Sequence, residues 1–306
     1  MAVAVKRLSE GRAVDRLAEH LPKLVLAPTF VITIVFVYGF ILWTTVLSFT
    51  KSRFMPVMQF DGLRAYERLW ANSNWWTSVE NLFIFSILYI GLATVIGLLL
   101  AILLDQKIRG EGVLRTIYLY PMALSFIVTG TAWKWLLNPG IGIQKIVRDW
   151  GFENFTLDWI VQTNTAIYCI VIAAIWQSSG FVMAMFLAGL RGVDGEIIKA
   201  AQIDGAPIFK IYWRIIIPLM RPVFLSAFVI LSHLAIKSYD LIVALTDGGP
   251  GTSTWLPAIF MYKMTFTRNE VALGAASAVM MLMTVAAIMV PYLYSELRQA
   301  GKSSHG

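Results

Sequence analysis

The chain contains four stretches of 24 or more residues without Asp, Glu, Lys or Arg, and no other feature of the sequence constrains its fold as strongly. A helix crosses the roughly 30 Å hydrocarbon layer of a membrane with about 20 mostly apolar residues. Two further stretches are nearly as apolar and contain only Lys134, or Arg221, His233, Lys237 and Asp240. The six predicted spans are residues 24–50, 81–104, 116–137, 159–190, 215–246 and 271–295.

The composition agrees with a membrane protein. Of the 306 residues, 58% are hydrophobic and 14% are charged, whereas soluble domains average about 45–50% apolar and about 25% charged residues. Cys169 is the only cysteine, so neither an intramolecular disulfide nor a multi-cysteine metal site is possible. The predicted fold class is an all-α integral membrane protein with six transmembrane helices, stabilised by helix packing.

The net charge of +7 is distributed unevenly along the chain. With the N-terminus inside, the inner segments hold 14 Lys and Arg residues and the outer segments hold 8. This bias follows the positive-inside rule, and an even number of spans agrees with it. We therefore expect a cytoplasmic N-terminal segment at 1–23, a cytoplasmic tail at 296–306, and no nucleic-acid partner.

Motifs for several chemistries are absent from the sequence. It has no H-E-x-x-H zinc motif and no EF-hand calcium loop. Gly301-Lys302-Ser303 resembles the end of a phosphate-binding loop, but Glu296 stands where that loop requires its first glycine. We expect a chain without a catalytic residue, a metal or a cofactor, which does not bind ATP itself.

The fourth loop, residues 191–214, has the pattern of two short helices joined by a sharp turn. Asp194 is a suitable N-cap for a helix over 195–203. Gly205 is placed as a left-handed residue after that helix, and Pro207 suits the first position of a second one. Because a cytoplasmic loop has no lipid against which to bury apolar side chains, a partner protein is the natural cover for Ile197, Ile198, Ala200 and Ala201. The alternative is a loop folded back onto the inner ends of this chain's own spans.

The residues KAAQIDGAPIFKIYWRIIIPLMRP, at 199–222, resemble the E-A-A loop of ATP-binding-cassette importer permeases. The signature of that family is E-A-A, three residues, G, nine residues and I-x-L-P. Its places are occupied here by Lys199-Ala200-Ala201, Gly205, Ile215, Ile217 and Pro218. Lys199 departs from the usual glutamate, so either the ATPase offers it an acidic or neutral residue, or Glu196 takes over the ionic contact. We favour Glu196.

The resemblance extends to carbohydrate permeases of the maltose and glycerol-phosphate type, with glucose/mannose, α-glucoside or mannitol permeases the most similar. The segments GLRAYERLW, LNPGIG and KSYDLIVALTDGGPGTST support it. It implies a type I importer fold in the bacterial cytoplasmic (inner) membrane, a second homologous permease subunit forming a heterodimer, a cytoplasmic ATPase dimer and an outer sugar-binding protein. It also implies that 191–214 couples to the ATPase through Glu196, Lys199, Ala200, Ala201, Asp204, Gly205 and Pro218.

The fourth and fifth spans each carry one face that suits a sugar pathway, because a sugar crossing lipid needs hydrogen-bonding partners and flat apolar surfaces. In the fourth span this face includes Gln177, Ser178 and Phe181, and in the fifth it includes Leu234, Ala235 and Ser238. The alternative for the polar members is hydrogen bonding between packed helices. Both readings remain open from the sequence.

Lys237 and Asp240 lie three residues apart in the fifth span, where an ammonium and a carboxylate on one helix face would form an ion pair. A structural pair is the first interpretation, and substrate handling is the alternative. A rival class, an ion- or proton-coupled carrier, would use Lys237, Asp240 and His233 as coupling groups. An integral membrane enzyme is disfavoured because no span end carries paired carboxylates or metal ligands.

Overall fold

The computed structural model describes Lys23, residues 25–106 and residues 108–303, and most of the predicted N-terminal segment 1–23 lies outside them. The described part is helical, and its single strand-like pairing is a bridge between Thr50 and Phe60. Four helices are long and apolar enough to cross a membrane, and two bent helix pairs raise this number to six. The all-α, six-span architecture is therefore the one that the sequence predicts.

We number the helices in chain order. They are α1 (Val25–Leu47), α2 (Arg64–Trp70), α3 (Ser73–Asp105), α4 (Glu111–Ala123), α5 (Phe126–Leu137), α6 (Ile143–Asp149), α7 (Ala166–Arg191), α8 (Gly195–Ile203), α9 (Ile208–Leu219), α10 (Arg221–Ile236), α11 (Asp240–Leu245), α12 (Pro257–Tyr262) and α13 (Val271–Ser303).

The centre of the fold is the contact between α3 and α7. A Cβ atom at Gly97 of α3 would lie 2.6 Å from Cγ1 of Val182 and 3.0 Å from the backbone nitrogen of Met183, both on α7. Only a glycine lets the two backbones approach this closely, as small residues do in many membrane helix pairs. Helix α7 is the most buried of the four unbroken spans, since two thirds of its apolar window is buried by this chain.

The third span, which the sequence predicts over 116–137, consists of two helices in the structure. Helices α4 and α5 meet at an angle of 99°. Pro121 has no N–H with which to continue the helical bonding, and α4 ends two residues later. Ser125 then caps α5, with its Oγ accepting a hydrogen bond from the N–H of Val128 at 3.3 Å. The predicted span 116–137 therefore contains a sharp bend, with a helix on each side of it.

The fifth span is also broken, and it starts earlier than residue 215. Helix α9 begins at Ile208, and it meets α10 at 66° across Met220. A second interruption at 237–239 separates α10 from α11. Pro218 and Pro222 flank the first break, which is the usual cause of a sharp kink in a membrane helix.

The helix of the fourth span, α7, starts at Ala166, whereas the predicted span starts at residue 159. The uncharged stretch includes Gln162-Thr163-Asn164-Thr165, which forms turns before the helix begins. Absence of charge was therefore a poor marker of this boundary, because uncharged polar residues still favour turns over helix.

Helix α1 is largely exposed and packs against the rest of the chain through one side near its C-terminal end. None of its apolar window is buried, and it contacts α13. Side chains such as Phe30, Phe40 and Leu42 are more than 60% exposed. This surface faces lipid or another membrane helix.

Replacing Gly97 by Val should destabilise the protein by about 1–3 kcal/mol, because the new side chain would overlap α7. Gly91→Val is the matched control, since it lies on the same helix and an added Cβ atom there would meet no neighbouring helix within 4 Å. Thermal unfolding of the purified protein in detergent measures both. Equal unfolding midpoints for the two variants would contradict the close contact of α3 with α7.

Candidate functional site

The loop that follows α7 folds as the sequence predicts. Oδ1 of Asp194 accepts a hydrogen bond from the N–H of Glu196 at 2.9 Å, which caps α8 at its start. At the other end, Gly205 has a φ of 74°, in the left-handed region. The N–H of Gly205 donates to the carbonyl of Gln202, and the N–H of Ala206 donates to the carbonyl of Ala201, both at 3.0 Å. This pair of bonds is a Schellman motif, which satisfies the last carbonyls of α8 and reverses the chain.

Pro207 is the N-cap of the second helix, whereas the sequence predicts it as the first helical residue. Its ψ of 150° is extended, so it caps α9 and Ile208 is the first helical residue. The reason is the turn at Gly205, after which Ala206 and Pro207 are not helical and α9 begins at Ile208.

The apolar face of α8 is divided between this chain and its surroundings. Ala201 is 9% exposed and Ile198 is half-buried, and both pack against the chain's own core. For these two residues the structure agrees with the alternative, a loop that packs on its own chain. Ile197 and Ala200 remain exposed.

Further exposed apolar side chains lie from the last residue of α8 to the first half of α9. Ile203 is 86% exposed, and the rings of Phe209 and Trp213 are exposed and stack at 6.3 Å with an interplanar angle of 9°. Ile203 lies outside the candidate spans, whereas Phe209 and Trp213 lie at the start of the bent fifth span. Exposed apolar side chains of this kind indicate a contact with another molecule. The same loop therefore offers apolar surface at its turn instead of along the inner face of α8.

The charged residues of α8 face solvent and pair with each other. Nζ of Lys199 lies 3.3 Å from Oε1 of Glu196, with side chains that are 70% and 81% exposed. An exposed pair three residues apart contributes little to stability, so both groups are available to a partner. Asp204 is the exposed C-cap of α8, and Pro218 is half-buried in α9.

An ionic cluster that sequence reasoning missed lies where α7 enters this loop. Nη2 of Arg191 donates to Oε1 of Glu111 at 2.7 Å, and Nε of Arg191 lies 3.6 Å from Oδ1 of Asp105. These three residues terminate α7, begin α4 and terminate α3, respectively. Two acids in one predicted inner loop, with a cation at the start of another, were the available signal in the sequence.

Gln177 and Ser178 make hydrogen bonds inside the chain. Nε2 of Gln177 donates to the carbonyl of Leu124 at 2.8 Å, at the break between α4 and α5. Oγ of Ser178 and the hydroxyl of Tyr89 on α3 are 2.7 Å apart. Both serine and glutamine are buried. Their bonds match the alternative interpretation, hydrogen bonding between packed helices.

The remaining predicted pathway residues differ in exposure. Ala235 is buried, whereas Phe181, Leu234 and Ser238 are half-buried. An apolar groove of about 570 Å³ runs between α3, α10 and α13. None of the six predicted pathway residues lines it.

Lys237 and Asp240 do not share a helix. Helix α10 ends at Ile236 and α11 begins at Asp240, so the three-residue spacing does not place the two side chains on one face. The salt bridges of the described residues do not include this pair. The helical premise of the predicted ion pair is therefore corrected, because the chain breaks between its members.

The geometry of α8, Gly205 and α9 agrees with a comparison of the sequence with protein families. Residues 93–299 match the family described as binding-protein-dependent transport system inner membrane component. This chain belongs to that family. The described residues hold no cluster of three or more His, Cys, Asp or Glu that would bind a metal.

Individual relatives and one solved structure agree with this membership. A probable ABC transporter permease protein of Pyrococcus horikoshii is 42% identical over 89% of this chain and 94% of its own length. A xylose/arabinose import permease protein of Haloferax volcanii is 33% identical over 89% of this chain and 86% of its own length. A bacterial ABC transporter involved in alginate import has the same fold, with a TM-score of 0.79, 18% identity, and coverage of 94% of this chain and 99% of that one.

The chain is thus a permease subunit, a non-catalytic membrane component of an ABC transporter. ATP is hydrolysed by a separate ATPase subunit of such a transporter. The type I importer fold expected from the E-A-A-like loop is confirmed by the structural match.

Gly205→Val should weaken the loop, because a branched side chain in the left-handed region costs about 1–2 kcal/mol. Gly205→Asn should be milder, since asparagine tolerates this conformation. No atom lies within 4 Å of a Cβ at this position, so the two variants differ in backbone strain and not in a clash. We expect ATPase co-purification and substrate uptake to fall for Val and to stay near wild type for Asn. Unchanged values for Val would contradict a functional turn at Gly205.

Proposed function

We propose that this permease is one half of the translocation pathway of an ATP-driven, binding-protein-dependent sugar importer. The observation that carries the proposal is the loop of α8 and α9, which has the E-A-A spacing and the capped helix, left-handed glycine and second helix that a docking element requires. Sugar as the substrate class is supported by the names of relatives, which include xylose/arabinose and trehalose/maltose permeases.

The proposed partners in the membrane and cytoplasm follow from surfaces that this chain leaves exposed. A second homologous permease would complete the pathway, and the exposed α1 gives it membrane surface to contact. An ATPase dimer would bind the loop through Glu196, Lys199 and the apolar side chains beside Gly205. A sugar-binding protein would deliver substrate at the opposite side.

We also propose that the protein lies in the cytoplasmic (inner) membrane of a bacterium, with both termini in the cytoplasm. The charge bias of the sequence supports this orientation. The contact of Arg191 with Glu111 agrees with the alternation of the loops, since it joins two loops assigned to the same side, and the charge bias assigns that side to the cytoplasm. Residues 304–306 of the predicted tail lie outside the described residues.

The proposed mechanism is alternating access. Closure of the ATPase dimer would move α8, and the movement would pass to α7 and α10, to which its loop is joined. On the proposed pathway face, Phe181, Leu234 and Ser238 are half-buried and would contact the substrate. Gln177, Ser178 and Ala235 are buried and would support the packing of the helices behind them.

The rival carrier mechanism makes a different demand on energy supply. In proteoliposomes containing the whole complex, uptake of labelled sugars should require ATP on the loop side and the binding protein on the other. Ionophores should leave it unchanged. Uptake that proceeds without ATP and collapses with an ionophore would contradict the proposal and favour coupling through His233, Lys237 and Asp240.

The ionic contact with the ATPase is tested at α8. Glu196→Lys should reduce ATPase retention in pull-down assays more than Lys199→Ala does, because we assign the attractive contact to the glutamate. The difference should shrink at high salt, since exposed charge pairs are screened. Greater loss for Lys199→Ala would place the contact at the lysine.

A further inference from the structure

The inner end of α7 meets two other spans in one ionic cluster. Arg191 contacts Glu111 at 2.7 Å and Asp105 at 3.6 Å, and all three side chains are partly exposed, at 43%, 32% and 32%. A guanidinium presents several donors in a fixed planar fork, so one arginine holds two carboxylates at once. The cluster therefore ties the ends of α3, α4 and α7 to each other.

One member of the cluster is poorly placed for helix stability alone. Asp105 is the last residue of α3, where the negative end of the helix dipole disfavours a carboxylate. Arg191, at the end of α7, and Glu111, at the start of α4, have the favourable signs. A carboxylate at the end of α3 is accounted for by its contact with Arg191, not by its own helix.

The same three helices are in close contact deeper in the membrane. Gly97 lets α3 approach α7, and a Cβ atom at Gly180 of α7 would overlap the carbonyl oxygen of Tyr118 on α4. Close glycine contacts in the membrane and an ionic contact at the end give the three helices several fixed points. The glycine contacts therefore join the three helices within the membrane, and the ionic contacts join their ends.

The loop that receives the ATPase starts directly beside this cluster. Helix α8 begins four residues after Arg191, and its N-cap Asp194 lies three residues after it. At the other end of the loop, Met220 marks the 66° break, and Gly189 of α7 packs against it, with a Cβ position 3.1 Å from Cε of Met220. Any displacement of α8 thus acts on α7 at Arg191 and on α10 across the break.

We propose that Arg191 is a positioning residue for coupling, which makes α3 and α4 follow α7 when the ATPase displaces α8. The proposal rests on the proposed function, because it assigns to Arg191 a part in transmitting the ATPase movement. Without the cluster, α7 moves at its end while α3 and α4 lag behind, and ATP is hydrolysed without a complete change of access.

The test is the number of ATP molecules hydrolysed per sugar transported by the reconstituted complex. Arg191→Gln should raise this ratio by about twofold or more, the lower end of the effect that coupling mutations have. Arg191→Lys should fall between wild type and Gln, since a lysine does not hold both carboxylates with a planar fork. Asp105→Asn should also raise the ratio.

A double variant shows whether the two groups act through each other. Arg191→Gln combined with Glu111→Gln should be no worse than Arg191→Gln alone, because both remove the same contact. Lys145→Gln is the matched control. It removes an exposed 2.6 Å ion pair with Asp149 in α6, away from the loop, and should leave the ratio unchanged.

Subunit retention separates coupling from assembly. The proposal expects normal amounts of ATPase in the purified Arg191→Gln and Asp105→Asn complexes. A wild-type ratio in both variants would overturn it, and so would a loss of transport that only matches a loss of assembled complex. A wild-type complex without ATP-dependent uptake would instead contradict the proposed function itself.

Discussion

Backbone N–H and C=O groups inside a membrane must be hydrogen-bonded within the protein, and this constraint decides how the chain breaks its third span. At that break, the carbonyl of Leu124 accepts a hydrogen bond from Gln177, and Ser125 caps the next helix. The donor, Gln177, lies on α7, the most buried of the four unbroken spans. The sharp turn places α5 against α11, where a Cβ atom at Gly130 would lie 2.6 Å from the Cβ of Ala244.

Helix α8 in the loop after α7 is a short helix outside the candidate spans, so it needs its own start and stop signals. Asp194 and the Schellman motif at Gly205 provide them within a dozen residues. These local hydrogen bonds hold the shape of the loop, and Ala201 is buried against the rest of the chain. Ile203 and Phe209 are left exposed at its turn. A stiff element with an exposed apolar end suits the transmission of movement from a partner.

The sequence predicted the parts of this structure that depend on neighbouring residues. Six apolar stretches, the cap at Asp194 and the turn at Gly205 all follow from local composition or local hydrogen bonds. It did not predict the contact of Arg191 with Glu111, because the two residues are 80 positions apart and meet through tertiary packing. The role of Gln177 was ambiguous for the same reason. A polar side chain on a helix face does not reveal that a free carbonyl lies opposite it.

In the proposed transporter, the turn beside Gly205 lies in the cytoplasm and the ATPase covers it. This arrangement is tested by Ile203→Cys in a Cys169→Ala background, labelled with a membrane-impermeant maleimide. Ile203 is 86% exposed and Cys169 is buried, so the label reports on the turn. We expect labelling from the cytoplasmic side only, with protection when the ATPase binds, while Ile141→Cys labels from the outside and is not protected. Labelling of position 203 from the outside, or equal labelling with and without the ATPase, would contradict the account.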